Sequence, residues 1–303
     1  MTRLAEKRKG NTGAARFHRA MAVLAGAGIL YGLVGDPVRT GQSLVLLPLL
    51  ACLLLPLAWA LHDLKWFRSS EAISVVFWAC AVDWIFGPLI EIAGRSRFPL
   101  VDHTLSRIDA VLFQTQFVVM WMRKHPALHH VSELVYASLL PLLAVALMLP
   151  IVRGSRSAHR LLLAAVLSIC ITTLGFHFLP AAGPWTVQGY EPTRDQAITS
   201  EDVLALKSHP NGLPTALRTT GLVSFPSFHT ILAMLCAFAL WPIPYVRWAG
   251  LVLATGIVIS TVTTGWHYGI DVIAGIAVAL FCEGAARRIY AAIERGKRPV
   301  TVA

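Results

Sequence analysis

Eight stretches of this chain are apolar for long enough to cross a bilayer, at about residues 18–35, 43–61, 71–93, 131–152, 160–180, 226–242, 245–263 and 268–288. A spanning helix needs roughly 20 mainly apolar residues. The expected fold is therefore all-α: a polytopic membrane helical bundle of about eight spans. Composition agrees. Charged residues make up 14% of the chain and hydrophobic ones 56%, where a soluble domain carries about 25% charged residues. The formal net charge is +10, a balance also met in nucleic-acid-binding proteins. Here, however, the basic residues gather at the termini and in short loops between apolar runs, so no nucleic-acid partner is expected. Cys52, Cys80, Cys170, Cys236 and Cys282 all fall inside apolar segments without metal-type spacing, which reads as packing.

The spacing of breakers and basic residues gives the organisation. Pro242-Ile243-Pro244 makes a tight turn between the sixth and seventh spans. The connection from Arg95 to His130 is too polar to span, yet Leu105, Ile108, Val111, Leu112 and Phe113 share a face, as in an interfacial amphipathic helix. The connection from Ala181 to Phe225 is rich in Gly, Pro, Thr and charge, and a loop of that length is more often a functional cover than a linker. Three regions are expected: residues 1–94 with an N-terminal tail and two to three spans, 95–290 as the core, and 291–303 as a tail.

An even span count puts both termini on one side. Arg3, Lys7, Arg8, Lys9, Arg16, Arg19, Lys65, Arg68, Arg153, Arg156, Arg160, Arg247, Arg287, Arg288, Arg295, Lys297 and Arg298 fall on that side, so it is cytoplasmic by the positive-inside rule. Arg95, Arg97, Arg107, Arg123 and Lys124 run against the trend. The expected setting is a bacterial inner (plasma) membrane.

Two short motifs carry chemistry: Phe225-Pro226-Ser227-Phe228-His229 and His267-Tyr268-Gly269-Ile270-Asp271. Ionisable groups within a membrane protein's spans are costly, which marks them as candidate site residues. His267 and Asp271, at i and i+4, share one face if helical. The carboxylate then fixes the tautomer and leaves the other ring nitrogen to react. Pro226 suits a first helical turn, and a helix start favours a bound anion, to which Ser227 adds a hydroxyl. A phosphate between the two imidazoles would meet a nucleophile and a proton donor. A single membrane histidine can instead merely bond a neighbouring helix; the pairing of both motifs speaks against that.

In these motifs the chain resembles the phosphatidic acid phosphatase type 2 superfamily, which has P-S-x-H and, one helical hairpin later, S-R-x5-H-x3-D. Pro226, Ser227 and His229 match the first; Ser260, His267 and Asp271 match the second. The resemblance implies a six-helix catalytic core preceded by two extra helices. It also implies His267 as nucleophile, Asp271 as its orienter and His229 as acid and base, with no metal or other cofactor. The family's upstream basic motif is replaced by Leu179-Pro180-Ala181-Ala182-Gly183-Pro184-Trp185, its later Arg by Thr261, and the Gly of P-S-G-H by Phe228. These departures are similar to the inositol phosphorylceramide synthase-like (inositolphosphotransferase) branch, as are, more weakly, Asp102, Leu105, Asp109, Leu112-Phe113 and Leu134-Val135-Tyr136.

Losing those cations weakens a clamp for a phosphate monoester of charge about −1.5 to −2 more than for a monoanionic diester. The expected function is a lipid phosphotransferase moving a phospho-head group between lipid alcohols through a phosphohistidine. The alternative is a lipid phosphate phosphatase with water as acceptor; a transporter using the His and Asp residues as a proton relay is the rival class. Expected partners are a lipid phosphate or phospholipid substrate, a lipid alcohol or water acceptor, and the membrane. Candidate substrate-binding residues are Ser227, Ser260, Trp266, Tyr268, Arg95, Arg97 and Arg218; Arg194 and Lys207 could also replace the missing cations. Asp83, Glu91 and His177 lie in spans and either line the site or bond between helices. Trp185, Trp241, Tyr245, Trp248 and Trp266 sit near span ends, where such rings anchor to the interface; of these, Trp266 is the one expected to touch substrate.

Overall fold

The computed structural model describes residues 2–35, 66–209 and 221–295, with a few positions between 54 and 62. The structure is 81% helical, with no strand among the described residues, an all-α polytopic membrane bundle. The described residues form α1 (Thr2–Gly35), α2 (Phe67–Gly94), α3 (Asp102–Leu112), α4 (Thr115–Arg123), α5 (Pro126–Ala137), α6 (Leu139–Val152), α7 (Ser157–Phe178), α8 (Arg194–Ser208), α9 (Phe228–Leu240), α10 (Val246–Thr263) and α11 (Gly269–Arg295), with a 3-10 turn at Pro184–Thr186. Among the described residues, six helices are long and apolar enough to span, in α1, α2, α5 with α6, α7, α10 and α11, and the shorter apolar α9 joins them. The expected span at 43–61 lies largely outside the described residues.

Helix α9 is the hub, packed on α6, α7, α10 and α11, while α2 packs on α1, α7 and α8. The shared core includes Val75, Leu142, Leu161, Ile231, Ile257 and Cys282, one from each of six helices, with Phe17 and Met21 of α1 against it. Close approach of α9 and α11 depends on Gly275, where a Cβ would stand 2.8 Å from the Ser227 carbonyl oxygen and 3.1 Å from Thr230 Cβ. Any side chain there would push α9 and α11 apart.

The expected amphipathic segment is two helices, broken at Gln114 with φ 53°. Their polarity is the reverse of a soluble helix. Asp102 and Asp109 are buried with Leu105, whereas Val111, Leu112, Phe117 and Trp121 are exposed, as suits a helix lying at a lipid interface. The 181–225 connection contributes a capped helix, α8: Thr193 accepts from the Gln196 backbone N–H, and the Gln196 side chain accepts in return. This reciprocal capping orders a stretch whose composition alone reads as loop.

Candidate active site

The two histidine motifs meet at one end of the bundle. Ser227 is the N-cap of α9 and its Oγ accepts from the Thr230 backbone N–H, so Pro226 stands one residue outside the helix rather than in its first turn. The backbone N–H of Ser227 donates to the Asp271 carbonyl at 3.1 Å, tying one motif to the other. His267 is not on a helix. It sits in the turn between α10 and α11, its backbone N–H donating to the Thr261 carbonyl at 3.1 Å, where Gly265 adopts φ +83°. The i,i+4 pair therefore does not share a helical face; the turn brings the two side chains together instead.

The His267 ring is fixed at one nitrogen. Nδ1 lies 2.9 Å from the Ser224 carbonyl oxygen and 3.5 Å from Asp271 Oδ2. The carbonyl can only accept, so Nδ1 carries the proton and Nε2 keeps the lone pair. Asp271 Oδ2 accepts from the Tyr268 backbone N–H at 2.9 Å, and Oδ1 has no hydrogen-bond partner among the described residues. Burial pushes the His267 imidazole down to about 4, which keeps it neutral and nucleophilic near pH 7. The His229 ring faces it with centroids 6.4 Å apart. Tyr136 stacks on His229 at 4.2 Å and its hydroxyl lies 3.2 Å from Nδ1.

Two buried carboxylates hold the surrounding loops. Asp102 accepts from the Ala182 and Gly183 backbone N–H groups, both at 2.9 Å, and from the Tyr268 hydroxyl at 3.2 Å. Asp109 accepts from the Thr115 backbone and hydroxyl at 3.0 and 2.6 Å and from the Gly269 N–H at 2.7 Å. At Gly269 a Cβ would meet Phe113 Cγ at 2.4 Å, so the α3–α4 corner can sit directly against the start of α11. Tyr190 completes the brace, donating to the Gly265 carbonyl at 2.8 Å beneath the Arg123 guanidinium, 4.7 Å from its ring centre.

A cavity of about 520 Å³ opens beside the histidines, lined by His229, His267, Tyr136, Trp266, Trp185, Ser224 and Phe228, and also by Asp83, Trp84, Glu91 and Thr172. Helix α2, N-terminal to the 94/95 boundary, thus forms one wall, and the 181–225 connection forms another. Of the expected substrate-binding residues, Trp266 lines the cavity. Ser227, Ser260 and Tyr268 do not: each is at most 2% exposed. Their hydroxyls are turned to the Thr230 cap, the Ile257 carbonyl and Asp102. Arg95 closes α2, its backbone N–H on the Glu91 carbonyl, and Arg97 and Arg194 are exposed; none of the three lines the cavity. Lys207 is spent on the Ser96 and Phe98 carbonyls. Arg218 lies outside the described residues. Among the described residues, no Lys or Arg lines the cavity.

Asp83 and Glu91 face the cavity, whereas His177 packs on Phe98 and Phe178. Trp185, expected as an interfacial anchor, is buried edge-to-face on Trp266 at 5.4 Å; Trp241, Tyr245 and Trp248 are exposed. Sequence reasoning passed over Ser224 and Thr172. It met Tyr136 only as a weak likeness, because a tyrosine at a span end has an anchoring role just as good.

A polytopic membrane bundle that sets two imidazoles beside one cavity suits nucleophilic and acid–base chemistry on a bound substrate. Residues 103–283 match the family model of the PAP2 superfamily, and the chain belongs to that superfamily. No curated protein and no solved structure matches it. The protein is thus an integral membrane enzyme of lipid phosphatase or phosphotransferase type.

Proposed function

We propose that the protein is a lipid phosphotransferase working through a phosphohistidine. The observation that carries this reading is the facing pair His229 and His267, 6.4 Å apart, on a cavity without a lining Lys or Arg among the described residues. His267 Nε2 attacks the phosphorus of a phosphodiester lipid, and the bond from phosphorus to the lipid alcohol oxygen breaks. Protonated His229 donates its proton to that oxygen. The phosphoimidazole keeps Nδ1–H on the Ser224 carbonyl, and the Asp271 carboxylate offsets the positive charge the ring has gained. An acceptor alcohol then gives its proton to His229, attacks phosphorus and releases His267 in its starting form.

Where the superfamily's phosphatases have Arg, Thr261 is fully buried and bonds the Val258 carbonyl at 2.7 Å. With fewer cations, a dianionic monoester loses more stabilisation than a monoanionic diester. Apolar Phe228 beside His229 and the Trp185–Trp266 pair limit water at the phosphohistidine. The likeness to the inositol phosphorylceramide synthase-like branch supports transfer between lipid alcohols. The site faces outward and the termini are cytoplasmic in this reading, supported by Arg247 and Arg288 lying toward the ends of α10 and α11 remote from the His267 turn.

Purified enzyme with a lipid alcohol should consume a phosphodiester lipid faster than it hydrolyses phosphatidic acid, and quenched reactions should contain phosphohistidine. Faster hydrolysis of phosphatidic acid than turnover of any diester would make it a phosphatase.

A further inference from the structure

The two imidazoles of the site carry positive charge at different moments, and the fold treats them differently. His267 gains its charge as the phosphoimidazole forms, and Asp271 Oδ2 stands 3.5 Å from its Nδ1. His229 must be positive earlier, when it hands a proton to the leaving oxygen. Among the described residues no carboxylate pairs with it. What lies beside it is an aromatic face. The Tyr136 ring stacks on the imidazole with centroids 4.2 Å apart and planes within 17°. Its hydroxyl covers Nδ1 at 3.2 Å, which leaves Nε2 as the nitrogen for the substrate. Trp266 lies parallel to Tyr136 within 8°, centroids 6.1 Å apart, and Trp185 meets Trp266 edge-on at 5.4 Å. A column of rings thus fixes the plane of the tyrosine. One turn before Tyr136 on α5, Ser132 Oγ bonds Thr263 Oγ1 at the end of α10, which docks the helix beside the turn carrying His267.

A cation over an aromatic face is attracted by the ring quadrupole, and by more where water is excluded. The charge-dependent part of that attraction acts on an imidazolium and not on the neutral ring. We propose that Tyr136 is a positioning residue for proton transfer. Its ring holds the imidazolium form of His229 in place, as Asp271 offsets the charge on His267. When the bond from phosphorus to the alcohol oxygen breaks, the Nε2–H proton passes to that oxygen and leaves the ring neutral over the same face. The proton of the acceptor restores the imidazolium in the second step. This inference rests on His229 as proton donor and holds for an alcohol or a water acceptor alike.

The test separates proton donation from the rest of catalysis by the leaving group. A p-nitrophenolate departs without a proton, whereas a lipid alkoxide needs one. Purified full-length protein in mixed micelles is given phosphatidylinositol or the p-nitrophenyl ester of the same phosphoinositol group, with a long-chain lipid alcohol. Phosphatidic acid and p-nitrophenyl phosphate form a parallel pair. The rate read is that of the first turnover, as release of diacylglycerol or nitrophenolate. Tyr136→Leu should fall about tenfold or more below Tyr136→Phe on the lipid donors. The same two variants should release nitrophenolate within about threefold of each other. Replacing Tyr136 with phenylalanines of increasing ring fluorination keeps the shape and drains the face of negative charge, so the lipid-donor rate should fall stepwise. Rates indifferent to fluorination, or a Tyr136→Leu loss equal for both leaving groups, overturn the role of Tyr136. His229→Ala tests the underlying role separately. A loss confined to the lipid donors upholds His229 as proton donor, and an equal loss with both leaving groups overturns it.

Discussion

Two buried histidines at opposite ends of this bundle have similar credentials and different surroundings. His159, at the start of α7, has Nε2 3.5 Å from Glu71 Oε1. His267, just before α11, has Nδ1 3.5 Å from Asp271 Oδ2. Both are under 5% exposed. His159, however, is walled by rings: Phe17 at 4.4 Å and Tyr290 at 6.2 Å, and it lines no part of the cavity. Tyr290 and Gly269 are 21 residues apart on α11, about 30 Å of helix. His267 has a backbone carbonyl on one nitrogen, a cavity beside it and a second imidazole across that cavity. A buried histidine–carboxylate pair therefore does not make a site. Space for a substrate and a partner able to move a proton do.

The sharpest test of this contrast is His267→Ala beside His159→Ala. The first should abolish turnover, by about 10⁴-fold or more, and remove the phosphohistidine. The second should leave activity per folded molecule intact. Substantial activity in His267→Ala would end the proposed mechanism. Next in size is Asp271→Asn. Because the Ser224 carbonyl holds Nδ1 at 2.9 Å, the tautomer should survive, and the loss in kcat should sit near 10² within the 10²–10⁴ range of orienting carboxylates. A loss of 10⁴ would show that the carboxylate, not the carbonyl, sets the ring.

Tyr136→Phe keeps the stacking on His229 and removes the hydroxyl 3.2 Å from Nδ1. It should lower kcat about tenfold with little change in KM; a raised KM with kcat unchanged would instead assign Tyr136 to substrate binding. The smallest effect concerns pH. With the folded imidazole of His267 lowered to about 4 and the unfolded one near 6.5, the unfolded chain binds the extra proton between those values. Stability from this group is then complete above about 6.5 and falls as pH drops toward 4. His267→Gln should flatten that part of the curve by up to about 3 kcal/mol, read from thermal unfolding between pH 4 and 7.

Some of this was written in the one-dimensional pattern. The apolar runs dictate spanning helices because length and hydropathy are local properties. The two histidine motifs advertise themselves because ionisable groups are rare in such company. The turn at Pro242–Pro244 and the absence of Arg at Thr261 are likewise local facts. Other features are settled only when distant segments meet. The tautomer of His267 depends on a carbonyl 43 residues earlier. The stack on His229 comes from α5, 93 residues away, and the α2 wall of the cavity comes from a helix that sequence pattern alone sets outside the core. Tyr268 looks like a ligand in the motif, yet its hydroxyl is taken by Asp102, 166 residues earlier. A hydroxyl's partner is whatever lies within about 3 Å of it, and in a helical bundle the neighbours across an interface are set by packing.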